Sequence, residues 1–115
     1  EFPAGLMDKK GEDPVDTMKR ELLEETGYTF EGKPELLLEG PFNAGLLADE
    51  LMVFYTTGAW KEKEPHLEPT EDIEVILVPL DSLIDFVLHP PNDCLVDMKL
   101  LGVLPILNRR KLGLK

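Results

Sequence analysis

The chain has 115 residues, 43% of them hydrophobic and 30% charged, which is enough for one domain with a core of its own. Its 23 acidic and 12 basic residues give a formal net charge of -11. This charge argues against nucleic acid or an anionic membrane as the main partner, because phosphate binding needs basic patches. A single cysteine excludes an internal disulfide and indicates a reducing compartment such as the cytoplasm. No apolar run approaches the ~18 residues that would suggest a transmembrane helix.

The first predicted elements are a loop and a well-marked helix. Residues 1–12 are rich in turn-forming residues and predict a loop. Asp13 suits the N-cap, Pro14 suits the first helical position, and Gly27 ends the helix. The apolar side chains that follow the spacing of a buried helical stripe are Val15, Met18 and Leu22.

Three short segments after this helix have the composition of β-strands, namely 34–40, 50–58 and 72–80. The last of them is apolar on both sides of its alternation, as expected of a strand covered on both faces. Between the second and third segments, residues 59–71 are polar and contain proline, so they predict a loop.

The C-terminal part predicts two helices. Residues 81–88 form a short one, with Asp81 as its expected N-cap. Residues 94–110 form the last one, in which Pro105 is expected to introduce a kink. Cys94, at the head of that helix, is expected to be a small buried hydrophobic residue.

The segment Lys19–Tyr28, KRELLEETGY, places three glutamates on one helical face. Glu21 lies three and four positions before Glu24 and Glu25, and like charges at these spacings repel by about 0.2–0.5 kcal/mol per pair. One interpretation is an ordinary solvated acidic face. The other is a binding site for a divalent cation, because Mg²⁺ prefers carboxylate, carbonyl and water oxygens.

The spacing around these glutamates resembles the motif of the Nudix hydrolases. That motif is a glycine, five residues and a glutamate, then seven residues and Arg-Glu-apolar-any-Glu-Glu-any-Gly-apolar. Here Glu12 is followed by seven residues, and Arg20 to Tyr28 fill the remaining positions. One departure is that six residues, not five, separate Gly5 from Glu12, which leaves the role of Gly5 open.

Three further stretches, EFPAGLMD, EETGY and TEDIEV, are similar to the ADP-ribose pyrophosphatase (ADP-sugar diphosphatase) branch of that family. The resemblance implies an α/β fold, with an α/β/α sandwich around a mixed sheet. Members of that branch have upstream strands that help to form a dimer and contact the adenine. We therefore expect residues 1–115 to be a partial Nudix domain that lacks these strands and forms the later part of a longer protein.

The resemblance also implies a bound Mg²⁺, with Mn²⁺ as a substitute. The carbonyl of Ala4 and the side chains of Glu21 and Glu25 would hold the ion. Glu24 would complete the cluster as a metal and catalytic residue, and a salt bridge to Arg20 is the alternative for it.

Two supporting residues and two loop glutamates complete the implied machinery. Arg20 is predicted to orient the glutamates rather than to touch substrate. Glu12 is predicted to brace the loop or the cluster rather than to bind metal directly. Matched on EDI, Glu71 falls on a metal-binding position. The general base of the family lies two residues earlier, where this chain has Pro69, so Glu68 is the candidate catalytic base. The alternative for both glutamates is a solvated loop.

Substrate-binding residues are expected in three places. Gly5 presents backbone in the loop before the helix. The stretch FNAGLLADE resembles the family's loop near the terminal ribose, which makes Gly45 and Glu50, with Asp49 as a substitute, candidates for ribose contact; a strand lead-in is the alternative. Trp60 can stack on a base, although a lone tryptophan more often packs within the fold.

The predicted function is Mg²⁺-dependent hydrolysis of the pyrophosphate of a nucleoside diphosphate sugar, with ADP-ribose giving AMP and ribose 5-phosphate. The alternatives are a Nudix hydrolase of another nucleotide sugar or nucleotide, and a non-catalytic Nudix-like binding module. The expected partners are the nucleotide-sugar substrate and a second copy of the chain in a homodimer, not nucleic acid or a membrane.

Overall fold

The computed structural model describes residues 1–41, 43–46, 49–111 and 113. It divides into two compact units. The first unit is Pro3–Val75, and the second is Glu1–Phe2 together with Ile76–Lys115. Among the residues described, none of the helices combines the length and the apolar character that crossing a membrane requires.

The predicted helix of the first unit is confirmed as α1, Pro14–Thr26. The Asp13 carboxylate accepts a hydrogen bond of 2.8 Å from the backbone N–H of Val15, as an N-cap should. At the other end Gly27 adopts a φ of 78°, and its N–H donates to the carbonyl of Leu23 at 2.9 Å. Both ends of the helix therefore follow from local capping chemistry.

Strands of the first unit form two antiparallel pairs. In chain order they are β1 (Tyr28–Thr29), β2 (Glu35–Pro41), β3 (Glu50–Tyr55) and β4 (Trp60–Lys61). β2 pairs with β3, which confirms the first two predicted strands, and β1 pairs with β4. The α/β class is confirmed, whereas the sandwich around a mixed sheet stays a prediction.

The third predicted strand, 72–80, is wrong. Residues 72–79 form no strand, and a 3₁₀ turn spans Leu80–Ser82. A strand needs a neighbour that takes up its N–H and C=O groups. Each of the strands in the described residues is paired with another strand and not with this segment. The apolar side chains that stay exposed as a result are Ile73, Val75, Ile76 and Leu77.

The core of the first unit centres on Phe30, which is 1% exposed. Phe30 follows β1 directly, and the ammonium of Lys19 on α1 lies 5.3 Å from the centroid of its ring. The predicted stripe on α1 is half-buried rather than buried, at Val15, Met18 and Leu22. Thr17, on the same helix, is buried instead, and its hydroxyl has a hydrogen-bond partner.

The short helix predicted at 81–88 is confirmed as α2, Leu83–Leu88, but its predicted cap is wrong. Asp81 lies inside the 3₁₀ turn Leu80–Ser82 that precedes the helix. Ser82 stands at the N-cap position, and its side chain makes no capping hydrogen bond. The chain enters α2 through a tighter turn, which moves the cap one residue along.

The last predicted helix begins later than expected, as α3, Lys99–Lys111. The Asp97 carboxylate accepts a hydrogen bond of 2.9 Å from the backbone N–H of Lys99 and an ion pair of 2.7 Å from its ammonium. These contacts hold the pKa of Asp97 below its ordinary value. Asp97 therefore starts the helix that periodicity alone placed at residue 94. Pro105 lies inside α3, as predicted.

The core of the second unit lies along α3. Leu100, Val103 and Leu107 are buried at the i, i+3, i+7 spacing of one helical face, and Val87 of α2 is buried with them. Cys94 precedes α3 and is exposed, so its predicted burial is wrong.

Candidate active site

Glu21 and Glu25, two of the predicted metal ligands on α1, lie against the N-terminal loop. Glu21 and Glu25 are one helical turn apart, and both are half-buried. The backbone N–H of Ala4 donates to Oε2 of Glu25 at 3.2 Å. A Cβ on Gly5 would overlap Cγ and Cδ of Glu21. Because Gly5 has no Cβ, the loop backbone can approach the helix closely. This close approach explains why a glycine is needed here, a question that the shifted spacing to Glu12 left open.

Arg20 binds three carboxylates at once. Its Nη2 and Nε atoms donate to the two oxygens of Glu12 at 3.1 and 3.3 Å. Its Nη1 atom donates to Glu21 at 3.0 Å and to Glu24 at 3.3 Å. We call Glu12, Arg20, Glu21 and Glu24 the arginine cluster. The fork to Glu12 is bidentate, which restricts the orientation of the guanidinium and brings positive charge between the glutamates of α1.

Arg20 forms an ion pair with Glu12, which is consistent with the predicted supporting role of the two residues. Arg20 also forms the salt bridge to Glu24 that was considered as the alternative to a metal role for Glu24. The hydrogen bonds from Arg20 and from the hydroxyl of Thr17, the latter 2.8 Å long, hold the pKa of the Glu12 carboxyl below its ordinary value. In turn, the hydrogen bond to Glu12 raises the pKa of Arg20. The catalytic and metal roles of Glu24 stay predictions.

This pKa shift predicts how stability depends on pH. Because the pKa of Glu12 is lower in the folded chain than in the unfolded one, its contribution is present above the unfolded pKa of about 4.3. It is lost as the pH falls through the folded pKa. We expect Glu12→Gln to lower the melting temperature at neutral pH and to reduce the difference from wild type on acidification. Thermal melts followed by circular dichroism between about pH 7 and pH 3 would measure both effects.

Glu39→Gln is a matched control, because Glu39 is an exposed strand residue outside the arginine cluster. Its melting temperature should follow that of wild type at every pH. Parallel melting curves for wild type and Glu12→Gln across the acid range would contradict the role assigned to Glu12.

The donor set fits a magnesium ion. Within the described ranges no three His, Cys, Asp or Glu side chains are grouped so that they could hold a metal. Mg²⁺, however, usually takes only one or two carboxylates and completes its shell with water and substrate phosphates. Glu21 and Glu25 supply two carboxylates one helical turn apart, and the Ala4–Gly5 backbone lies against them. The metal-binding role of these residues and of the Ala4 carbonyl stays a prediction.

The end of α1 is joined by hydrogen bonds to residues 62–66. The carbonyl of Gly27 accepts from the N–H groups of Glu62 and Lys63 at 2.8 and 3.3 Å, and the carbonyl of Glu24 accepts from His66 at 2.8 Å. A Cβ on Gly27 would overlap the carbonyl oxygen of Lys63. Sequence reasoning missed this contact, because a glycine at a helix end does not show which distant segment lies against it.

Glu68 and Glu71 follow this segment and bond to each other. The N–H of Glu68 donates to Oε2 of Glu71 at 2.8 Å, and the N–H of Glu71 donates to the carbonyl of Glu68 at 2.9 Å. Glu68 is exposed and Glu71 is half-buried. The Glu71 carboxylate thus stabilises its own turn, and the roles of both residues as base and metal ligand stay predictions.

The predicted ribose-contacting residues lie on both sides of residues that the structure does not describe, which include 42, 47 and 48. Gly45 is exposed in a turn with a φ of 89°. Glu50 begins β3 opposite Pro41, and this position matches the strand lead-in alternative. In the described residues neither one shares a hydrogen bond or ion pair with the arginine cluster, so their substrate roles stay predictions.

A model of the NUDIX domain family matches residues 1–97, and the chain therefore belongs to the Nudix domain family. The chain is also similar to a protein described as a methanol dehydrogenase activator from Bacillus methanolicus, with 37% identity over 89 residues. The similarity covers 76% of this chain and 46% of that protein, so the chain spans about half the length of its relative.

Proposed function

We propose that this Nudix domain hydrolyses the pyrophosphate of a nucleoside diphosphate sugar in the presence of Mg²⁺, with ADP-ribose giving AMP and ribose 5-phosphate. The observation that supports this most directly is the contact of the Ala4–Gly5 backbone with Glu21 and Glu25 on one face of α1. A cation bound there would also solve the electrostatic problem of a chain with net charge -11 that binds a phosphorylated substrate.

The side chains of Glu21 and Glu25 and the carbonyl of Ala4 would hold the Mg²⁺ or Mn²⁺ ion. When bound, such an ion neutralises charge on the pyrophosphate and lowers the pKa of a bound water. Arg20 positions Glu21 and Glu24 through ion pairs of 3.0 and 3.3 Å. These contacts fix the carboxylates before substrate arrives and reduce the repulsion between them.

The reaction needs a group that takes a proton from the attacking water. The water oxygen bonds to phosphorus, the bridging P–O bond breaks, and the proton passes to a carboxylate. We assign the proton to Glu68, because its carboxylate is exposed and Pro69 occupies the position of the family's base. Glu71 would support this step from the same turn, and Gly5, Gly45 and Glu50 would contact substrate.

A substrate panel tests the proposal. Initial rates would be measured with ADP-ribose, other ADP-sugars and GDP-sugars in the presence of Mg²⁺. We expect ADP-ribose to have the highest kcat/KM, with AMP and ribose 5-phosphate as products. Equal or faster turnover of a GDP-sugar would overturn the substrate assignment. No turnover of any compound, together with saturable nucleotide binding, would favour a non-catalytic binding module.

A second candidate function follows from the relative, whose description names it a methanol dehydrogenase activator. On this alternative the chain stimulates such an enzyme. The rate of methanol oxidation by methanol dehydrogenase would be measured with and without the chain. A rate increase that persists in a hydrolytically dead variant would favour activation by binding.

We also propose that the chain acts as a cytoplasmic homodimer that binds neither nucleic acid nor membranes.

A further inference from the structure

Thr17 is a buried polar residue at a position for which the Nudix motif specifies no residue type. It lies among the seven residues between Glu12 and Arg20 and is 3% exposed. A buried hydroxyl needs a hydrogen-bond partner, because leaving it unsatisfied costs free energy. The partner of Thr17 therefore indicates what this position does.

The hydroxyl of Thr17 has a partner outside its own helix. A threonine inside a helix often donates to the backbone carbonyl four residues earlier, and Thr26, also buried on α1, does so to Leu22 at 2.5 Å. Thr17 instead donates to Oε1 of Glu12 at 2.8 Å. This bond joins α1 to the loop before it, and its ionised acceptor makes it stronger than a bond between neutral groups.

The bond from Thr17 is the first of a series that leads into the arginine cluster. The same Oε1 atom of Glu12 accepts from Nη2 of Arg20 at 3.1 Å. Arg20 in turn donates to Glu21 at 3.0 Å and to Glu24 at 3.3 Å. A shift of the Glu12 carboxylate would therefore reach both glutamates through one guanidinium group.

Thr17 is suited to hold Glu12 in place. Its side chain is branched at Cβ, which restricts χ1 and so fixes the direction of the hydroxyl. Glu12 has a flexible side chain, and its Oε2 atom is held only at 3.3 Å by Nε of Arg20 among the contacts of the described residues. The hydroxyl of Thr17 gives the carboxylate a second point of attachment that is independent of Arg20.

We propose that Thr17 is a positioning residue of the candidate metal site. It fixes Glu12, and through Glu12 and Arg20 it holds the α1 carboxylates in the geometry that binds the cation. The proposal rests on the function proposed above and adds a residue that touches neither metal nor substrate. Its hydroxyl is the group that acts, so a variant that keeps the shape and loses the hydroxyl tests it.

The first test measures the binding of Mn²⁺ alone by isothermal titration calorimetry, without substrate. Thr17→Val should weaken binding about 3- to 10-fold, less than the roughly 10- to 100-fold that loss of a direct partner of a metal ligand costs. Thr17→Ser, which keeps the hydroxyl, should restore most of the affinity. Unchanged affinity in Thr17→Val, or no binding of Mn²⁺ by wild type, would overturn the proposal.

Thr26→Val is the matched control, because it removes a buried hydroxyl from the same helix that bonds to a backbone carbonyl and not to the arginine cluster. It should lower the melting temperature and leave the affinity for Mn²⁺ unchanged. Equal weakening of Mn²⁺ binding in the two valine variants would show that affinity follows the stability of α1, which contradicts a positioning role.

A double-mutant cycle tests the route through Glu12. Glu12→Ala removes the acceptor of Thr17 and the partner of Arg20 together. In that background Thr17→Val should have no further effect on the affinity for Mn²⁺. Additive effects of the two substitutions would mean that Thr17 does not act through Glu12.

This proposal and the enzymatic one fail in different ways. Weaker Mn²⁺ binding by Thr17→Val in a chain that hydrolyses no nucleotide sugar would support the positioning role and overturn the enzymatic function. Hydrolysis by wild type, with the same affinity for Mn²⁺ in Thr17→Val, would do the reverse.

Discussion

Glu25→Gln is expected to lower kcat for ADP-ribose about a hundredfold or more while the chain stays folded. The amide oxygen of glutamine can still accept the 3.2 Å hydrogen bond from the Ala4 N–H, so the loop contact survives. What disappears is the negative charge that the cation needs. Initial rates at saturating substrate and Mg²⁺, with circular dichroism as the check on folding, would measure the effect.

The control is again Glu39→Gln, which removes an exposed carboxylate on β2 and should leave kcat unchanged. Glu24→Gln should also lose activity, since Glu24 shares the face of Glu21 and bonds to Arg20. Full activity in both Glu24→Gln and Glu25→Gln would refute the assignment of the metal site to α1.

Gly27→Ala is expected to destabilise the chain by about 2–5 kcal/mol. Two effects add. The φ of 78° costs any residue with a Cβ, and that Cβ would also overlap the carbonyl oxygen of Lys63. Because the 62–66 segment must move away from α1, we also expect lower activity. Urea denaturation followed by circular dichroism would give the change in the free energy of unfolding.

Gly32→Ala separates these two effects. Gly32 has a φ of 84°, and a Cβ there would have no neighbour within 4 Å. Gly32→Ala should therefore lower the free energy of unfolding by only the cost of the left-handed backbone conformation, about 1–2 kcal/mol. Equal losses in the two variants would show that the contact with Lys63 contributes nothing, and that the 62–66 segment is not positioned by Gly27.

Local chemistry explains why α1 could be predicted with its ends. The Asp13 cap, the proline after it and the glycine that ends the helix each act within about one turn. The ends of the helix can therefore be predicted from neighbouring residues in the sequence. The shared face of Glu21, Glu24 and Glu25 also follows from the helical repeat. The family match over residues 1–97 adds that this helix belongs to a Nudix domain.

Segment 72–80 shows where local chemistry is insufficient. Its apolar alternation has the composition of a covered strand, and yet a strand forms only if another strand takes up its hydrogen bonds. The start of α3 shows the same limit on a smaller scale. The helical periodicity of the sequence extends back to residue 94. The Asp97 carboxylate, however, accepts a hydrogen bond from the N–H of Lys99, and the helix begins at Lys99.

The glutamates of the candidate site, their helix and its caps follow from the order of residues, because every interaction that specifies them joins near neighbours. Which groups meet those glutamates does not follow from that order. Ala4 reaches Glu25 across 21 positions, and residues 62–66 bind the end of α1. The exposure of Trp60 is likewise decided by the fold. Such contacts depend on the packing free energy of the whole unit, and only the tertiary structure decides them.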